Sequence, residues 1–278
     1  MENLKDKIEG FAKEVMKVLG PGYKEGVYEK ALAHELRLHN ISYERQTNIE
    51  ITYKGYYLKD VLSDIIVDDS LLLELKAVQK LGKKHLKQAM VYMFSLDIDE
   101  GMLLSFSEEG VVLRKDVKKP ALQEPGGKVV IRDKNKNYGN IGDILKDSAK
   151  EIMERFGTEF MFTDAKFDMY IKALGVDLTL KNINYKSSSG LVCYKDCEVD
   201  RKEIEFMLDD NSGILPFSYK KVEDINKQKA EVPLLISILS LDSIWLVGFP
   251  EKEGLEIYLE KMDANAVINR KSFIMGED

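Results

Sequence analysis

The sequence is poor in the residues that build covalent or zinc-stapled folds. Its 278 residues hold only two cysteines, Cys193 and Cys197, and three histidines, His34, His39 and His85. Two cysteines cannot supply a disulfide framework, and they suit a reducing compartment. A zinc site would need two further ligands near Cys193-x-x-x-Cys197, yet every histidine lies in the first third of the chain. No cysteine has a histidine beside it in sequence, so a thiol nucleophile has no support either. Positive charge is also lacking: the net charge is -7, which speaks against a protein that coats nucleic acid through a global cationic field. An acidic balance leaves room for an enzyme that holds metal ions with carboxylates. Long apolar runs are absent as well; the longest candidate, 232-VPLLISILSLDSIWLVGF-249, is broken by Asp242. The first residues, MENLKDKIEGFAKEV, carry charge throughout and no hydrophobic signal core. The expectation is a soluble cytoplasmic protein with no membrane partner.

What is present is a clear change of texture along the chain. Leu4, Ile8, Phe11, Val15 and Leu19 recur at helical spacing and stop at 20-GPG-22, and a second helix is predicted from Tyr23 to His39. Segments 48–55, 56–68 and 70–78 are rich in β-branched, aromatic and other apolar residues, with turn signals at Lys54-Gly55 and Asp68-Asp69-Ser70, which predicts a three-strand meander. A helix over 83–96 and a hairpin over 101–117 complete one α/β domain, residues 1–118. Residues 119–140 concentrate proline, glycine and lysine and are expected to be a linker. The second domain, 141–278, is expected to be α+β, with helices near 141–157, 160–174 and 200–209, and strands near 176–181, 189–194, 233–240, 243–249 and 255–261. It shows no catalytic signature. Gly126-Gly127 lacks phosphate-loop spacing, and Trp245 fits a core position.

The stretch 71-LLLELKAVQK-80 sets a glutamate and a lysine inside a run of leucines. On a strand, Glu74 and Lys76 project from the same face. Burying two charges needs a reason, so that face is either wet or lines a cleft. Asp64 lies before the Asp68-Asp69-Ser70 turn, where a hairpin would bring it opposite Glu74. Two carboxylates and a lysine meeting there suit a hard cation such as Mg²⁺ and metal-assisted phosphodiester hydrolysis. Taken without its neighbours, the Glu74–Lys76 pair fits a surface ion pair on an edge strand equally well.

The Asp-x(9)-Glu-x-Lys spacing of Asp64, Glu74 and Lys76 resembles the signature of the PD-(D/E)XK nuclease superfamily. The segment 22-GYKEGVY-28 matches the Gly-x-x-Glu-x-x-Tyr motif of its GxxExxY family, and 88-QAMVY-92 matches the Gln-x-x-x-Tyr motif of its RecB-type nucleases. The resemblance covers about residues 5–118. It implies a restriction-endonuclease-like core, a mixed sheet flanked by helices, with DNA endonuclease activity. Asp64 and Glu74 would be ligands of Mg²⁺ or Mn²⁺, with Glu25 assisting, and Lys76 would be the catalytic lysine. Gln88 and Tyr92 would face the active site or the DNA backbone. Glu29, one turn after Glu25, shares that helix face, and the sequence leaves open which glutamate lies nearer the metal. Lys80, Lys83, Lys84 and Lys87, with His85 among them, form the one local basic cluster near the motif, placed to meet a phosphate backbone or to be a solvated helix face. The second domain would select substrate, bind a protein partner or join copies of the chain. The rival expectation is an inactive nuclease fold kept as scaffold, with function carried by the C-terminal half.

Overall fold

A computed structural model describes residues 1–119, 129–131, 139–157, 164–252 and 254–264. The chain divides into two compact units, Met1–Glu124 and Pro125–Asp278. Among the described residues no helix is long and apolar enough to cross a membrane.

The first unit opens with helix α1, Glu2–Leu19, whose Ile8, Ala12, Val15 and Met16 form a buried stripe. Gly20 and Gly22 both adopt positive φ, 75° and 96°, a conformation that turns the chain sharply into α2, Glu25–Leu38. Strands β1 (Tyr43–Arg45), β2 (Asn48–Tyr53), β3 (Tyr56–Leu62), β4 (Ile65–Val67) and β5 (Leu71–Lys76) follow, then α3 (Lys83–Leu96), β6 (Glu100–Phe106) and β7 (Val112–Lys118). The main sheet runs β1-β4-β5-β6-β7. Strands β5 and β6 are parallel and joined through α3, while the other neighbours are antiparallel. Leu71, Leu73 and Leu75 share one core with α1 and α2, together with Met102, Leu104 and Phe106. The two-residue period of a strand then turns Leu72, Glu74 and Lys76 to the opposite face, on which α3 lies. All six residues of β5 are buried, as a strand covered on both faces requires.

The expected three-strand meander is corrected in two respects. Strands β2 and β3 pair with each other in a separate two-stranded sheet, and the strand expected over 56–68 breaks at Ser63-Asp64. There the Ser63 N–H donates to the Thr47 carbonyl and the Asp64 carbonyl accepts from the Gln46 N–H, which keeps the Arg45–Ile65 and Asn48–Leu62 pairs on either side of the break in one register. The chain then re-enters the main sheet as β4 and turns into β5 through Asp68 and Asp69, both at positive φ (46° and 51°), the geometry of a tight hairpin.

In the second unit β8 (Val129–Ile131), α4 (Gly139–Phe156), α5 (Asp164–Leu180), β9 (Tyr185–Tyr194), β10 (Cys197–Leu208), β11 (Ser212–Tyr219), α6 (Val222–Leu239), β12 (Ser243–Pro250) and β13 (Ile257–Asp263) build one sheet, ordered β8-β13-β12-β11-β10-β9, with three helices. Within the stretch expected as linker, β8 pairs with β13, while 120–128, including Gly126-Gly127, and 132–138 lie outside the described residues, as do 158–163 at the start of the helix expected over 160–174 and 265–278 at the end of the second domain.

Three expectations fail here. The alternation of 176–181 suggests a strand, but α5 continues through it, with Tyr170, Ala173, Leu174 and Leu178 buried at helical spacing. The charge-rich 200–209 is not a helix: Ile204, Phe206 and Leu208 are buried at alternate positions of β10. The apolar run 233–240 belongs to α6, where Val232, Leu235, Ile236 and Leu239 form the buried stripe. Short apolar runs fit either period, and packing decides between them. Cys193 and Cys197 are free and exposed.

Candidate active site

The buried charge on β5 is organised around one ammonium. Lys76 Nζ donates to Glu25 Oε1 at 3.1 Å, to Glu74 Oε2 at 3.3 Å and to the Leu75 carbonyl at 2.7 Å. Asp64 Oδ2 lies 3.8 Å from the same nitrogen and accepts the Leu75 N–H at 2.7 Å. Glu74 is 1% exposed and Lys76 8%, so the pair is no surface decoration. Asp64 arrives opposite Glu74 because the β4–β5 register pairs Ile65 with Leu73, which makes 64 and 74 the next step outward. Three carboxylates thus converge on one lysine from α2, from the β3–β4 break and from β5.

Crowding like charges out of water displaces their titration. Burial pushes Asp64 up to about 6, against the pull of Lys76 and the Leu75 N–H. Burial pushes Glu74 up to about 8, and the charge of Asp64 adds to it while Lys76 opposes it. For Lys76 burial works against the charge, but Glu74, Asp64 and Glu25 outweigh it and hold the group well above an ordinary lysine. The three carboxylates therefore favour the charged, donating form of Lys76.

Helix α3 supplies the opposite wall. Gln88 Nε2 donates to Glu74 Oε2 at 3.1 Å and to the Tyr92 hydroxyl at 3.2 Å, joining both expected residues to the centre. Burial and the Glu74 charge raise the Tyr92 phenol, which stays neutral. Lys80, Lys83 and Lys84 are exposed and Lys87 is half-buried. His85 departs from its expected place on the surface: it is buried, and its Nδ1 accepts the Gly82 N–H at 3.1 Å, closing the start of α3. Burial, with Lys84 and Lys76 near, lowers it to about 4, so it is neutral.

Residues 2–119 match the family model described as the PD-(D/E)XK nuclease superfamily. The match lies within the first unit, which is similar to that superfamily over residues 2–119. No curated protein matches the chain. Among solved structures, the chain is similar to one titled crystal structure of SSO0001, at 19% identity and a TM-score of 0.28, over 34% of this chain and 50% of that one. It is also similar to an alkaline exonuclease, LHK-Exo, from Laribacter hongkongensis, at 14% identity and a TM-score of 0.26, over 32% of this chain and 52% of that one. The chain thus spans about half the length of each, 50% and 52%.

Asp64, Glu74 and Lys76, the residues expected from the sequence to carry the PD-(D/E)XK signature, are brought into one cluster. The Gly-x-x-Glu-x-x-Tyr stretch has a visible structural logic. The Tyr28 hydroxyl donates to the Gly20 carbonyl at 2.9 Å and accepts the Tyr23 N–H at 3.3 Å, while its ring stacks on Phe106 with centroids 4.3 Å apart. That latch ties down the loop between the helices and lands Glu25 on the first residue of α2, where a carboxylate is favoured.

The two α2 glutamates separate cleanly: Glu25 takes Lys76, and Glu29 takes Arg45 and Gln46. Arg45, Gln46 and Ser105 are partners that sequence reasoning missed. Ser105, buried on β6, accepts the Val78 N–H at 3.2 Å and donates to the Val78 carbonyl at 2.6 Å, holding the chain as it leaves β5. No spacing in the sequence links these residues to their partners.

Among the described residues no three His, Cys, Asp or Glu side chains gather closely enough to hold a metal ion, and the Lys76 ammonium lies among the carboxylates. The donor set still fits a hard divalent ion. It offers carboxylate oxygens without thiolate or imidazole, and Glu74 Oε1 is buried with no hydrogen-bond partner among the described residues.

Proposed function

We propose that the first unit is a Mg²⁺- or Mn²⁺-dependent nuclease that hydrolyses phosphodiester bonds of DNA. The observation that carries this reading is the buried Glu74 carboxylate, one oxygen bound by Lys76 and Gln88 and the other without a partner among the described residues, next to Asp64. A buried acceptor left unsatisfied costs free energy and calls for a ligand. Asp64 and Glu74 would hold the ion, with Glu25 at the more open side as the third carboxylate. When bound, the ion supplies positive charge to the phosphoryl group and makes water more acidic.

The chain's own groups do the rest. Lys76 orients the attacking water by donation and offsets charge developing on the phosphate. Gln88 fixes the Glu74 rotamer, and Tyr92 fixes Gln88. Exposed Lys80, Lys83 and Lys84, with Lys87, flank the start of α3 where a phosphate backbone would approach, and neutral His85 caps that helix. The second unit would choose the substrate or bind a partner, a second copy of the chain included. The setting would be the cytoplasm.

The test is cleavage of labelled single-stranded, duplex and branched DNA, and of RNA, with Mg²⁺, Mn²⁺ or EDTA, beside Lys76→Ala. Metal-dependent cutting that vanishes in the variant supports the reading. Absence of cutting on every substrate, with the protein folded and metal present, removes it and favours a scaffold whose function lies in the second unit.

A further inference from the structure

Asp64 sits at the interruption between β3 and β4, one step beyond the last pairs of the β1–β4 and β4–β5 ladders, so the bonds of its immediate neighbours bear directly on its placement. Its carbonyl accepts the Gln46 N–H at 3.1 Å, and the Ser63 N–H donates to the Thr47 carbonyl at 3.1 Å. The Asp64 backbone is therefore hung on residues 46 and 47. Gln46 itself adopts φ 52°, in the left-handed region that a glutamine enters only when its surroundings hold it there.

Those surroundings are Glu29. Gln46 Nε2 donates to Glu29 Oε2 at 2.7 Å, and Arg45 Nε donates to Oε1 at 2.9 Å, with Arg45 Nη2 2.8 Å from the same oxygen. Glu29 is 4% exposed while Arg45 is half-buried and Gln46 exposed, so a buried carboxylate is satisfied by charge-assisted bonds reaching in from the rim. One turn earlier on the same helix, Glu25 reaches Lys76 directly. Helix α2 therefore touches the centre at Glu25 and braces the Asp64 connection at Glu29.

We propose that Glu29, acting through Arg45 and Gln46, is the positioning residue for the Asp64 carboxylate. Its consequence for catalysis rests on the nuclease reading given above; the placement itself does not. Glu29 touches neither Lys76 nor Glu74 and is not a catalytic residue. It holds Gln46 in its left-handed conformation, and Gln46 holds the backbone from which the Asp64 side chain reaches the Leu75 N–H and the centre.

The Leu75 amide reports directly on Asp64, because its proton is donated to Asp64 Oδ2. Hydrogen exchange at Leu75 is therefore measured in the metal-free protein, alongside calorimetric titration with Mn²⁺, for Glu29→Ala and Gln46→Met. Gln46→Met keeps the side chain's length and changes no charge, leaves the Arg45–Glu29 pair in place and removes only the amide that Glu29 holds, with no relief of the left-handed φ. Arg114→Ala is the control, since it dismantles an ion cluster with Glu2, Asp6, Glu9 and Asp116 outside the site.

The expected result is faster Leu75 exchange and Mn²⁺ affinity lowered roughly 10–100-fold in both variants, the range for lost outer-shell partners. Arg114→Ala should lower Tm without either change. Wild-type exchange at Leu75 and wild-type Mn²⁺ affinity in Gln46→Met would overturn the proposal, and that variant decides alone should Glu29→Ala fail to fold. Faster Leu75 exchange in a protein whose wild type binds no metal would uphold the placement and remove the nuclease reading instead.

Discussion

Lys76 Nζ stands 3.3 Å from Glu74 Oε2, two residues back on a strand whose every side chain is buried. Removing the ammonium strands the carboxylate. Lys76→Met, which keeps the apolar stem, should abolish cleavage and lower stability by roughly 3 kcal/mol at pH 8, the scale for breaking a buried pair. At pH 5 the loss should shrink, because Glu74 can take a proton. Denaturant melts at both pH values, beside a cleavage assay, check this; equal destabilisation at the two would contradict it.

The raised carboxylates predict the direction of a pH effect. Asp64 and Glu74 titrate near 3.8 and 4.5 in their ordinary state and at about 6 and about 8 in the fold. The folded chain holds these protons more tightly, so their contribution is fully present below the ordinary values and is lost as pH rises through the folded ones. His85, lowered from 6.5 to about 4, acts oppositely, losing stability as pH falls through that interval. Between about pH 6.5 and 8.5 Glu74 is therefore the titrating group of the site. In EDTA the Tm should fall with rising pH over that range, and Glu74→Gln should flatten the slope. A Tm slope unchanged by Glu74→Gln would show that another group is responsible.

Gln88 donates to the one Glu74 oxygen that Lys76 also uses. Gln88→Leu should leave the fold intact and lower kcat about 10–100-fold with substrate KM little changed, as expected for a group that orients a ligand. Steady-state kinetics distinguish this from a substrate-binding role, which would raise KM.

Tyr28→Phe keeps the Phe106 stack and deletes only the hydroxyl that spans Gly20 and Tyr23. Stability should drop by about 1 kcal/mol, one hydrogen bond's net worth. Cleavage should fall further than that loss explains, because Glu25 leaves its place. Activity assayed well below Tm tests the difference, and full activity there would confine Tyr28 to a structural role.

Charge reversal at Lys83 and Lys84 should weaken DNA binding and reduce its salt dependence by about 0.9 in slope for each phosphate no longer neutralised. Anisotropy titrations over a range of salt, in a Glu74→Gln background that does not cut, give the slope. An unchanged slope would assign these lysines to a solvated helix face.

The parts of the fold legible in the sequence were those governed by local period. The stripes of α1 and α3, the hairpin of β6 and β7 and the turn at Asp68-Asp69 all follow from residues near one another in the chain. The second unit was harder because its clues were short. Residues 233–240 are apolar enough for a strand, and only Val232, Leu235, Ile236 and Leu239 packing together make them helix. Residues 200–209 carry helix-favouring charges, yet alternate burial in β10 outweighs them.

The same division runs through the site. The sequence by itself determined that Glu74 and Lys76 share a face, through the two-residue period of β5, and that Asp64 can meet them across the following turn. It also determined that Glu25 and Glu29 lie one helical turn apart on α2. Only the tertiary structure decided that Glu25 takes Lys76 while Glu29 takes Arg45 and Gln46, that the strand breaks at Ser63-Asp64, and that Glu74 is sealed from water on both sides. Periodicity is a property of neighbouring residues and can be read along the chain. Burial and charge pairing join residues far apart in sequence, and they exist only once the helices have closed over the sheet.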